Sequence, residues 1–397
     1  MKGWYDMKKG AIRFVFTLVL TVLAAGMVFT SVFAGEEVTA AKDAALAWLQ
    51  GAVGRQCPPA TFETDDPLIA VSSYTYENAV TALALMAEGD MDGAKKILDA
   101  FVQGMQNDTE FSDRFRNAYM AGNAATVPGY WNNAAGQWVQ DAYQVGSGTK
   151  SSAAAAVALM TYYLSDPVED YLNTAVKGIN WVLGYCADAN PGFTAGYNGW
   201  PKAEAETKLT YKAAVDNLWM YAACRMLADQ TGWNVYAEAA DSAYSFLTEA
   251  MYSAGDSRFF QGTAEDGVTP VANLIMVDVQ ALAALCLDND AGMDNIGLAR
   301  AADGGYAYDN SATNGSWLEG SAMAALALKQ TGNEEAADAV LSAIQQFRLP
   351  SGSFPQASIA ELRTGELNRT INNWPTLGAA AWFILAADNY DPFAPIK

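Results

Sequence analysis

The sequence contains no histidine among its 397 residues. This absence excludes Ser-His-Asp and Cys-His nucleophile systems, and it excludes zinc sites of the HExxH type. The chain also lacks a Walker phosphate loop and a GxGxxG turn that follows a strand. Carboxylates, tyrosines and lysines are therefore the groups left for acid–base chemistry. Nothing in the sequence requires a cofactor or a metal ion.

Positive charge and cysteine are also scarce. The chain has 23 Lys and Arg against 44 Asp and Glu, which gives a net charge of −21. This balance argues against nucleic acid or an anionic membrane as a partner. The four cysteines include no CxxC pair. Cys224 and Cys286 lie in alanine-rich stretches typical of a core, whereas Cys57 and Cys186 lie in or near loops, which leaves a disulfide between them open.

The first 34 residues have the pattern of an export signal. Lys8, Lys9 and Arg13 precede an apolar stretch from Phe14 to Phe29, and Val32-Phe33-Ala34 provides small residues at the −3 and −1 positions before Gly35. An uncleaved membrane anchor is the alternative, because the apolar run is just under spanning length. We therefore divide the chain into a signal segment, residues 1–34, and one folded domain, residues 35–397.

A helix pair repeats along this domain. The stretch from Trp317 to Phe347 predicts a helix from Leu318 to about Gln330 that is apolar nearly all round and therefore buried. After a turn at Thr331-Gly332-Asn333, a second helix has one apolar stripe and should lie at the surface. Ala82–Gln103 matches Ala325–Gln346 at a constant offset. This self-similarity predicts a fold built from repeated helical hairpins.

The number of hairpins predicts a ring. Inner helices are expected to begin near residues 76, 151, 213, 274, 318 and 376, and outer helices near residues 37, 92, 168, 234, 293 and 334. We predict an all-α protein, an (α/α)6 toroid. An open solenoid fits the repeat too, but it needs polar capping helices, and the last helix, Thr376–Ala387, is fully apolar. In a closed ring Trp48 or Leu49 should pack near this last helix. The long loops and all inner-helix N-termini should then share one face.

Four inner helices begin with a single acid in an apolar or aromatic stretch. We predict that these acids are the catalytic residues and that they converge on the loop-lined face. The alternative is that each acid stabilises its helix dipole, at about 0.3–1 kcal/mol. The four residues are Glu77, Asp216, Asp278 and Glu319.

Aromatic residues lie close to these acids or in the long loops. Sugar rings have apolar C–H faces that lie well against aromatic rings, and their hydroxyls suit carboxylates and amides. We therefore predict a carbohydrate substrate, with packing between helices as the alternative role for these rings. The candidate substrate-binding residues are Tyr76, Trp131, Trp219, Trp317 and Trp374.

Three stretches carry a resemblance to a known superfamily. They are YTYENAVTALALMAEGDMDGAKKILDAF, WLEGSAMAALALKQTG and NNWPTLGAAAWFILAADNYDPF. Over roughly residues 37–393 the chain resembles the six-hairpin glycosidases, (α/α)6 enzymes that degrade polysaccharides. The resemblance implies an exported glycoside hydrolase in which one carboxyl protonates the leaving oxygen and another activates water or attacks the anomeric carbon. Many members of that superfamily invert the anomeric configuration.

Within that mechanism we assign Glu319 as the general acid, because Trp317 and Leu318 give it apolar cover, with Asp278 as the base and Glu77 next in line. A polysaccharide lyase would instead use a tyrosine with a cation, such as Tyr211 with Lys212 or Tyr308 with Arg300. A carbohydrate-binding protein without catalysis would keep the aromatics but lack a correctly spaced carboxyl pair. The sequence does not indicate the sugar, the linkage or the oligomeric state.

Overall fold

The structure, a computed structural model, describes residues 35–110, 112–200, 206–366 and 369–396. The predicted signal segment lies outside these residues. Six inner helices follow one another through the described chain, and they are buried on nearly all sides because small and apolar residues occupy every face. They are α2 (Thr75–Ala87), α4 (Thr149–Ser165), α6 (Ala214–Thr231), α8 (Val277–Leu287), α9 (Leu318–Gln330) and α11 (Leu377–Ala387).

The outer layer contains the amphipathic helices. Residues 35–55 form α1, and the others are α3 (Met91–Asn107), α5 (Glu169–Tyr185), α7 (Asn234–Ser245) and α10 (Glu334–Ile344). A π-helical turn, Phe246–Met251, extends α7. The fifth outer element, predicted as a short helix from Met293 to Arg300, is a 3-10 helix over Met293–Ala299. The two repeats identified from the sequence are the hairpins α2–α3 and α9–α10, as predicted.

The inner helices form a closed ring. Each packs against the next in the order α2, α4, α6, α8, α9 and α11, and α11 packs back against α2. The first outer helix closes the ring, since Nζ of Lys42 in α1 lies 2.6 Å from a carboxylate oxygen of Glu88, after α2, and 2.7 Å from one of Asp388, after α11. The structure therefore confirms the toroid over the open solenoid.

Trp48 of α1 lies near the start of α11, as the sequence predicts for a closed ring. Its buried indole donates a hydrogen bond to the carboxylate of Glu63, at 3.1 Å. The backbone amide of Glu63 in turn donates to the carbonyl of Pro375, two residues before α11.

Short antiparallel strands in the connections from outer to inner helices form the wide face of the ring. One sheet joins Ser147–Gly148, Gly196–Asn198 and Thr207–Leu209. The other pairs are Ser72–Tyr74 with Ala118–Met120, Tyr130–Asn132 with Gln137–Val139, Tyr252–Ser253 with Arg258–Phe259, Gly262–Thr263 with Pro270–Val271, Phe354–Pro355 with Pro375–Thr376, and Glu361–Arg363 with Thr370–Asn372. The opposite, narrow face has the short turns within each hairpin.

Two further sequence expectations have outcomes here. Cys57 and Cys186 are free thiols, as are Cys224 and Cys286, so the disulfide that the sequence left open is not formed. Among the described residues, no helix combines the length and the apolarity that crossing a membrane requires.

Candidate active site

All four predicted acids line one cavity of about 470 Å³ at the wide face. Each acid lies in the first turn of its inner helix: Glu77 in α2, Asp216 in α6, Asp278 in α8 and Glu319 in α9. The ring brings these helix starts together, so residues far apart in the sequence become neighbours. The expected convergence of the four acids on one face is therefore present.

Buried amide side chains fix the starts of two of these helices. Asn217, next to Asp216, accepts a hydrogen bond from the backbone amide of Phe193 and donates one to its carbonyl, at 2.8 and 3.0 Å. Gln280, two residues after Asp278, makes the same pair of bonds with the backbone of Phe259, both at 2.9 Å. Each amide joins an inner helix to a preceding loop, which limits the positions that the neighbouring carboxyl can adopt.

Glu319 and Glu77 are close neighbours across Gly378. A Cβ atom placed on Gly378 would lie 2.7 Å from Oε2 of Glu319 and 3.3 Å from Cγ of Glu77. Gly378 is the second residue of α11, a helix whose first turn has no acid. A side chain there would displace Glu319, so the glycine provides the space in which carboxyls from the two helices that flank α11 meet.

Burial dominates the electrostatics of the four acids. It raises the pKa of Glu319 to about 8, with further contributions from the negative charges of Glu77 and Asp278. It raises the pKa of Asp216 to about 7. The pKa values of Glu77 and Asp278 are also raised, again mainly by burial. None of the four carboxyls forms a salt bridge with a described residue, so removal from water is not offset by direct pairing.

Lys150 is the cation at the centre of this arrangement, and the sequence analysis missed it. Its ammonium nitrogen lies 4.1 Å from the centroid of the Tyr76 ring, at the cavity wall. Its positive charge opposes the effect of burial and lowers the pKa of all four acids: Glu77, Asp216, Asp278 and Glu319. Lys150 is the second residue of α4, the position that Asp278 has in α8 and Glu319 in α9. That equivalence was visible in the helix pattern.

A second cation, Arg369, comes from the loop that precedes α11. It lies 2.7 Å from the carboxylate of Glu366, and its guanidinium lies 4.4 Å from the centroid of the Tyr308 ring. It also donates a hydrogen bond to the Tyr308 hydroxyl. All three residues line the cavity. No helix periodicity marks this loop, so no sequence pattern indicates that Arg369 reaches the site.

Of the five aromatic residues predicted to bind substrate, two line the cavity and three do not. Tyr76 and Trp317 line the cavity. Trp219 is fully buried below it, in contact with the rings of Tyr76 and Phe393 at centroid distances of 5.8 and 4.9 Å, which is the packing role that the sequence left as the alternative. Trp374 packs edge-on against Phe62 and is not among the lining residues. Trp131 is exposed on a hairpin outside the cavity. Tyr143, Tyr211 and Tyr308 line the cavity instead.

The cation pairs that a lyase would use are not arranged as the sequence suggested. The ammonium group of Lys212 is bound to Asp188 and to the carbonyls of Asn190 and Pro191, at 2.8–3.0 Å. Arg300 lies over the ring of Tyr306 and is not among the lining residues, so Tyr308 has Arg369 as its cation instead.

Within the described residues, no group of three or more cysteine, aspartate and glutamate side chains is placed to hold a metal ion. The cavity lining contains the acids, three cationic residues (Lys150, Lys212 and Arg369) and several hydroxyl and amide groups. This set can bind hydroxyls, move protons and stabilise developing positive charge.

Comparison with known proteins supports the fold. No family model matches the sequence, and no curated protein matches it. Among solved structures, a wild-type glycosidase is 12% identical, with a TM-score of 0.63 over 89% of this chain and 98% of its own. A GH76 alpha-mannanase from Bacteroides thetaiotaomicron is 12% identical, with a TM-score of 0.56 over 90% of this chain and 98% of its own. A sugar epimerase from a ruminal bacterium is 14% identical, with a TM-score of 0.56 over 85% and 95%.

At these identities the likeness concerns the architecture, and it spans nearly the whole length of both chains in each comparison. It agrees with the closed ring of inner helices and with the resemblance noted in the sequence. The chain has the six-hairpin, (α/α)6 toroid fold of the glycosidases.

Proposed function

We propose that this chain is an exported glycoside hydrolase that cleaves a poly- or oligosaccharide with inversion at the anomeric carbon. The observation that carries the proposal is the meeting of four carboxyls in one cavity, with the pKa of Glu319 raised to about 8 beside Glu77. A carboxyl that stays protonated near neutral pH can act as a general acid. Export is supported by the N-terminal sequence pattern alone.

Glu319 is the general acid in this proposal. Burial and the charge of Glu77 keep its proton in place, and Trp317 closes one side of the cavity beside it. It protonates the glycosidic oxygen as the bond to the anomeric carbon breaks. The sugar leaving group then departs as a neutral alcohol.

Asp278 is the general base. Its carboxylate accepts a hydrogen bond from the backbone amide of Val279 at 2.8 Å, and Lys150 and Arg369 lower its pKa against the effect of burial. These groups favour its ionised form. It removes a proton from a water molecule that attacks the anomeric carbon on the face opposite Glu319. Inverting enzymes hold the two carboxyls roughly 6.5–9.5 Å apart to leave space for this water. Glu77 and Asp216 then bind sugar hydroxyls or adjust the pKa values of Glu319 and Asp278.

The test is hydrolysis of a panel of polysaccharides, followed by reducing-sugar release. For any substrate that is cleaved, proton NMR during the first minutes identifies the anomer of the product before it mutarotates. Inversion supports the water mechanism. Retention would replace it by a carboxylate nucleophile and a covalent intermediate. A stable, folded protein that releases no reducing sugar from any member of the panel would overturn the hydrolase proposal.

A polysaccharide lyase is the second candidate, and the contact between Tyr308 and Arg369 favours it. A tyrosine beside a guanidinium at the cavity wall resembles a proton-transfer pair next to a charge neutraliser. Burial, however, raises the pKa of Tyr308 far above its usual value, and four carboxyls line the same cavity. Products with a new C=C bond, detected by ultraviolet absorbance, would favour the lyase over the hydrolase.

A further inference from the structure

The connection between α3 and α4 differs in composition from the rest of this acidic chain. Residues 117–140 include no charged side chain, although the chain as a whole has 44 acids and 23 bases. The segment contains six asparagine and glutamine side chains, four of them in residues 129–140, with aromatic residues between them. An exposed segment usually stays soluble through charge, so neutral amides and aromatic rings in this position indicate a surface with another purpose.

Two tryptophans are exposed on this segment. Trp131 and Trp138 are direct partners in the antiparallel hairpin of Tyr130–Asn132 and Gln137–Val139. Directly opposed residues point to the same side of a hairpin. The exposed fractions of the two side chains are 55% and 50%, which is large for residues that proteins normally bury. The hairpin therefore presents two indoles on one side to solvent.

The hairpin has a defined geometry. The side chain of Asn132 accepts hydrogen bonds from the backbone amides of Ala134 and Ala135, and the amide of Gly136 donates to the carbonyl of Asn132. Gly136 closes the turn with φ at +63°, a conformation that favours glycine. The indole of Trp138 lies across Gly129, where a Cβ atom would come within 2.5 Å of it. The hairpin backbone and the Trp138 ring are thus held in place before any ligand binds, which lowers the entropy cost of binding.

The hairpin is continuous with the cavity. Tyr143 follows Trp138 by five residues, lines the cavity, and still exposes 45% of its side chain. Five residues span at most about 18 Å, so the exposed indoles lie within a short length of chain from the acids' cavity. The backbone carbonyl of Tyr143 accepts a hydrogen bond from Asn117, and Gln144 donates to the hydroxyl of Tyr74, which anchors this end of the connection.

We propose that Trp131 and Trp138 form an aromatic platform that binds a neutral polysaccharide outside the cavity. Sugar rings stack on the two indoles, and the amide side chains beside them bind hydroxyl groups. The absence of charge over residues 117–140 suits a neutral glycan better than a uronic-acid polymer. The proposal rests on the proposed function in taking the bound polymer as the substrate of the cavity, but its binding step does not require cleavage.

The experiment measures binding and cleavage separately. Affinity electrophoresis through gels containing mannan, β-glucan, xylan or polygalacturonate compares the wild type with the Trp131→Ala and Trp138→Ala single and double variants. Trp233→Ala is the matched control, because Trp233 has the same exposed fraction, 55%, at the N-terminus of α7 on the narrow face. Thermal unfolding checks that each variant is folded.

We expect a neutral polysaccharide to retard the wild type and the Trp233→Ala control equally. Its affinity for each single variant should fall by roughly fivefold or more, and further for the double variant. On a substrate that is cleaved, KM for the polymer should rise while kinetics on a short aryl glycoside stay unchanged, because a short substrate occupies the cavity only.

The possible results distinguish this proposal from the proposed function. Loss of polymer binding in the variants, with no hydrolysis by the wild type, supports the platform and counts against the hydrolase. Equal retardation of the wild type and the double variant overturns the platform, whatever the activity. Retardation by polygalacturonate alone, or by none of the polymers, also overturns it, and the aryl glycoside then still tests the hydrolase.

Discussion

Both ends of the ring have clusters of charged side chains, partly accessible to water at the narrow end and buried at the wide end, and the two clusters are arranged in opposite ways. At the narrow end, Lys42 lies 2.6 Å from Glu88 and 2.7 Å from Asp388, so one cation joins the ends of α2 and α11. At the wide end, the four carboxyls at the helix starts share a cavity, and none of these four forms a salt bridge with a described residue, whereas Glu366 in the same cavity pairs with Arg369. The acids of the narrow end are thus in close ion pairs, whereas the four helix-start acids of the wide end are not.

This difference separates charges that stabilise the fold from charges that cost stability. At the narrow end, burial opposes the charge of Lys42, but hydrogen bonds to Asp388 and Glu88 raise its pKa overall and favour the charged form. At the wide end, burial raises the pKa of each of the four helix-start acids and favours the neutral form. Burying an unpaired carboxyl lowers the stability of the fold, so such groups are found mainly where function needs them.

Removing the proton donor at the wide end should have the largest effect. Glu319→Gln keeps the shape of the side chain and removes its acidic proton. Turnover of a natural glycan should fall by about 10²–10⁴-fold, because general acid catalysis contributes that much. A substrate with an activated aryl leaving group should lose far less, since its departure needs little protonation. The measurement is kcat on both substrates.

The matched control for this variant is Glu334→Gln, which changes an exposed acid in the first turn of outer helix α10. It should behave as the wild type. Equal losses of kcat on both substrates would identify Glu319 as a base, a nucleophile or a structural residue. Unchanged activity on the natural glycan would end its catalytic assignment, and Glu77 would be the next residue to test.

Replacing Lys150 tests whether a cation at the wide end tunes the pKa values of acids, in contrast to Lys42, which forms ion pairs. Lys150 lowers the pKa of all four acids, so Lys150→Met should raise them. Both limbs of the pH profile of kcat/KM should then move to higher pH, because the base loses its proton later and the acid keeps its proton longer. We expect the activity at neutral pH to fall roughly 10–100-fold.

Lys96→Met, on the exposed side of α3, is the control for the loss of one positive charge. A lower activity with an unchanged pH profile would mean that Lys150 acts only by holding Tyr76 or the substrate in place.

The acids at the wide end should also make stability depend on pH. The folded-state pKa of Glu319 is about 8, against an ordinary value of 4.5 in the unfolded chain. Between these values the folded state holds a proton that the unfolded state has lost, so the free energy of unfolding falls as pH rises through this window. Glu319→Gln has no such proton. The free energy of unfolding of this variant, taken relative to that of the wild type, should therefore rise by roughly 2–4 kcal/mol between pH 5 and pH 8.

Urea unfolding at both pH values measures this difference, and the control is again Glu334→Gln. A wild type and a Glu319→Gln variant that lose stability in parallel from pH 5 to pH 8 would show that the Glu319 carboxyl is already ionised when buried.

The smallest effect should come from breaking the pairs at the narrow end. Lys42→Met leaves Glu88 and Asp388 facing each other without their cation. Because these side chains remain partly accessible to water, we expect the free energy of unfolding to fall by only about 1–2 kcal/mol. Activity below the unfolding temperature should not change. A loss of activity in the folded variant would mean that the two ends of the ring are coupled.

The fold was predictable because helix periodicity and the repeat are local signals. An inner helix such as Leu318–Gln330 is apolar on every side, whereas its partner from Glu334 has one apolar stripe, and this alternation is enough to order the two layers. The strands of the wide face were not predicted, because pieces of two or three residues are too short to show a period. The 3-10 helix at Met293–Ala299 shows the same limit for a short outer element.

The candidate site was predictable only where it follows helix starts. The four acids stand at such starts, and so does Lys150, which the search for acids passed over. Arg369 comes from a loop, and its contact with Tyr308 depends on how that loop folds over the ring. Trp219 illustrates a different limit: it follows Asp216 by three residues, nearly one helical turn, so it lies about 4.5 Å deeper along the axis and packs in the core below the cavity.

The packing of Phe393 against Trp219 closes the centre of the ring from the narrow side. Both side chains are essentially inaccessible to water, and Tyr76 lies above them at the cavity wall. The toroid is therefore a cup and not a pore. A polymer cannot thread from one face to the other, and everything that enters must leave by the same opening. If the chain is the hydrolase proposed above, each product must leave before new substrate can reach the deepest part of the cavity, so product release and substrate entry compete for a single opening.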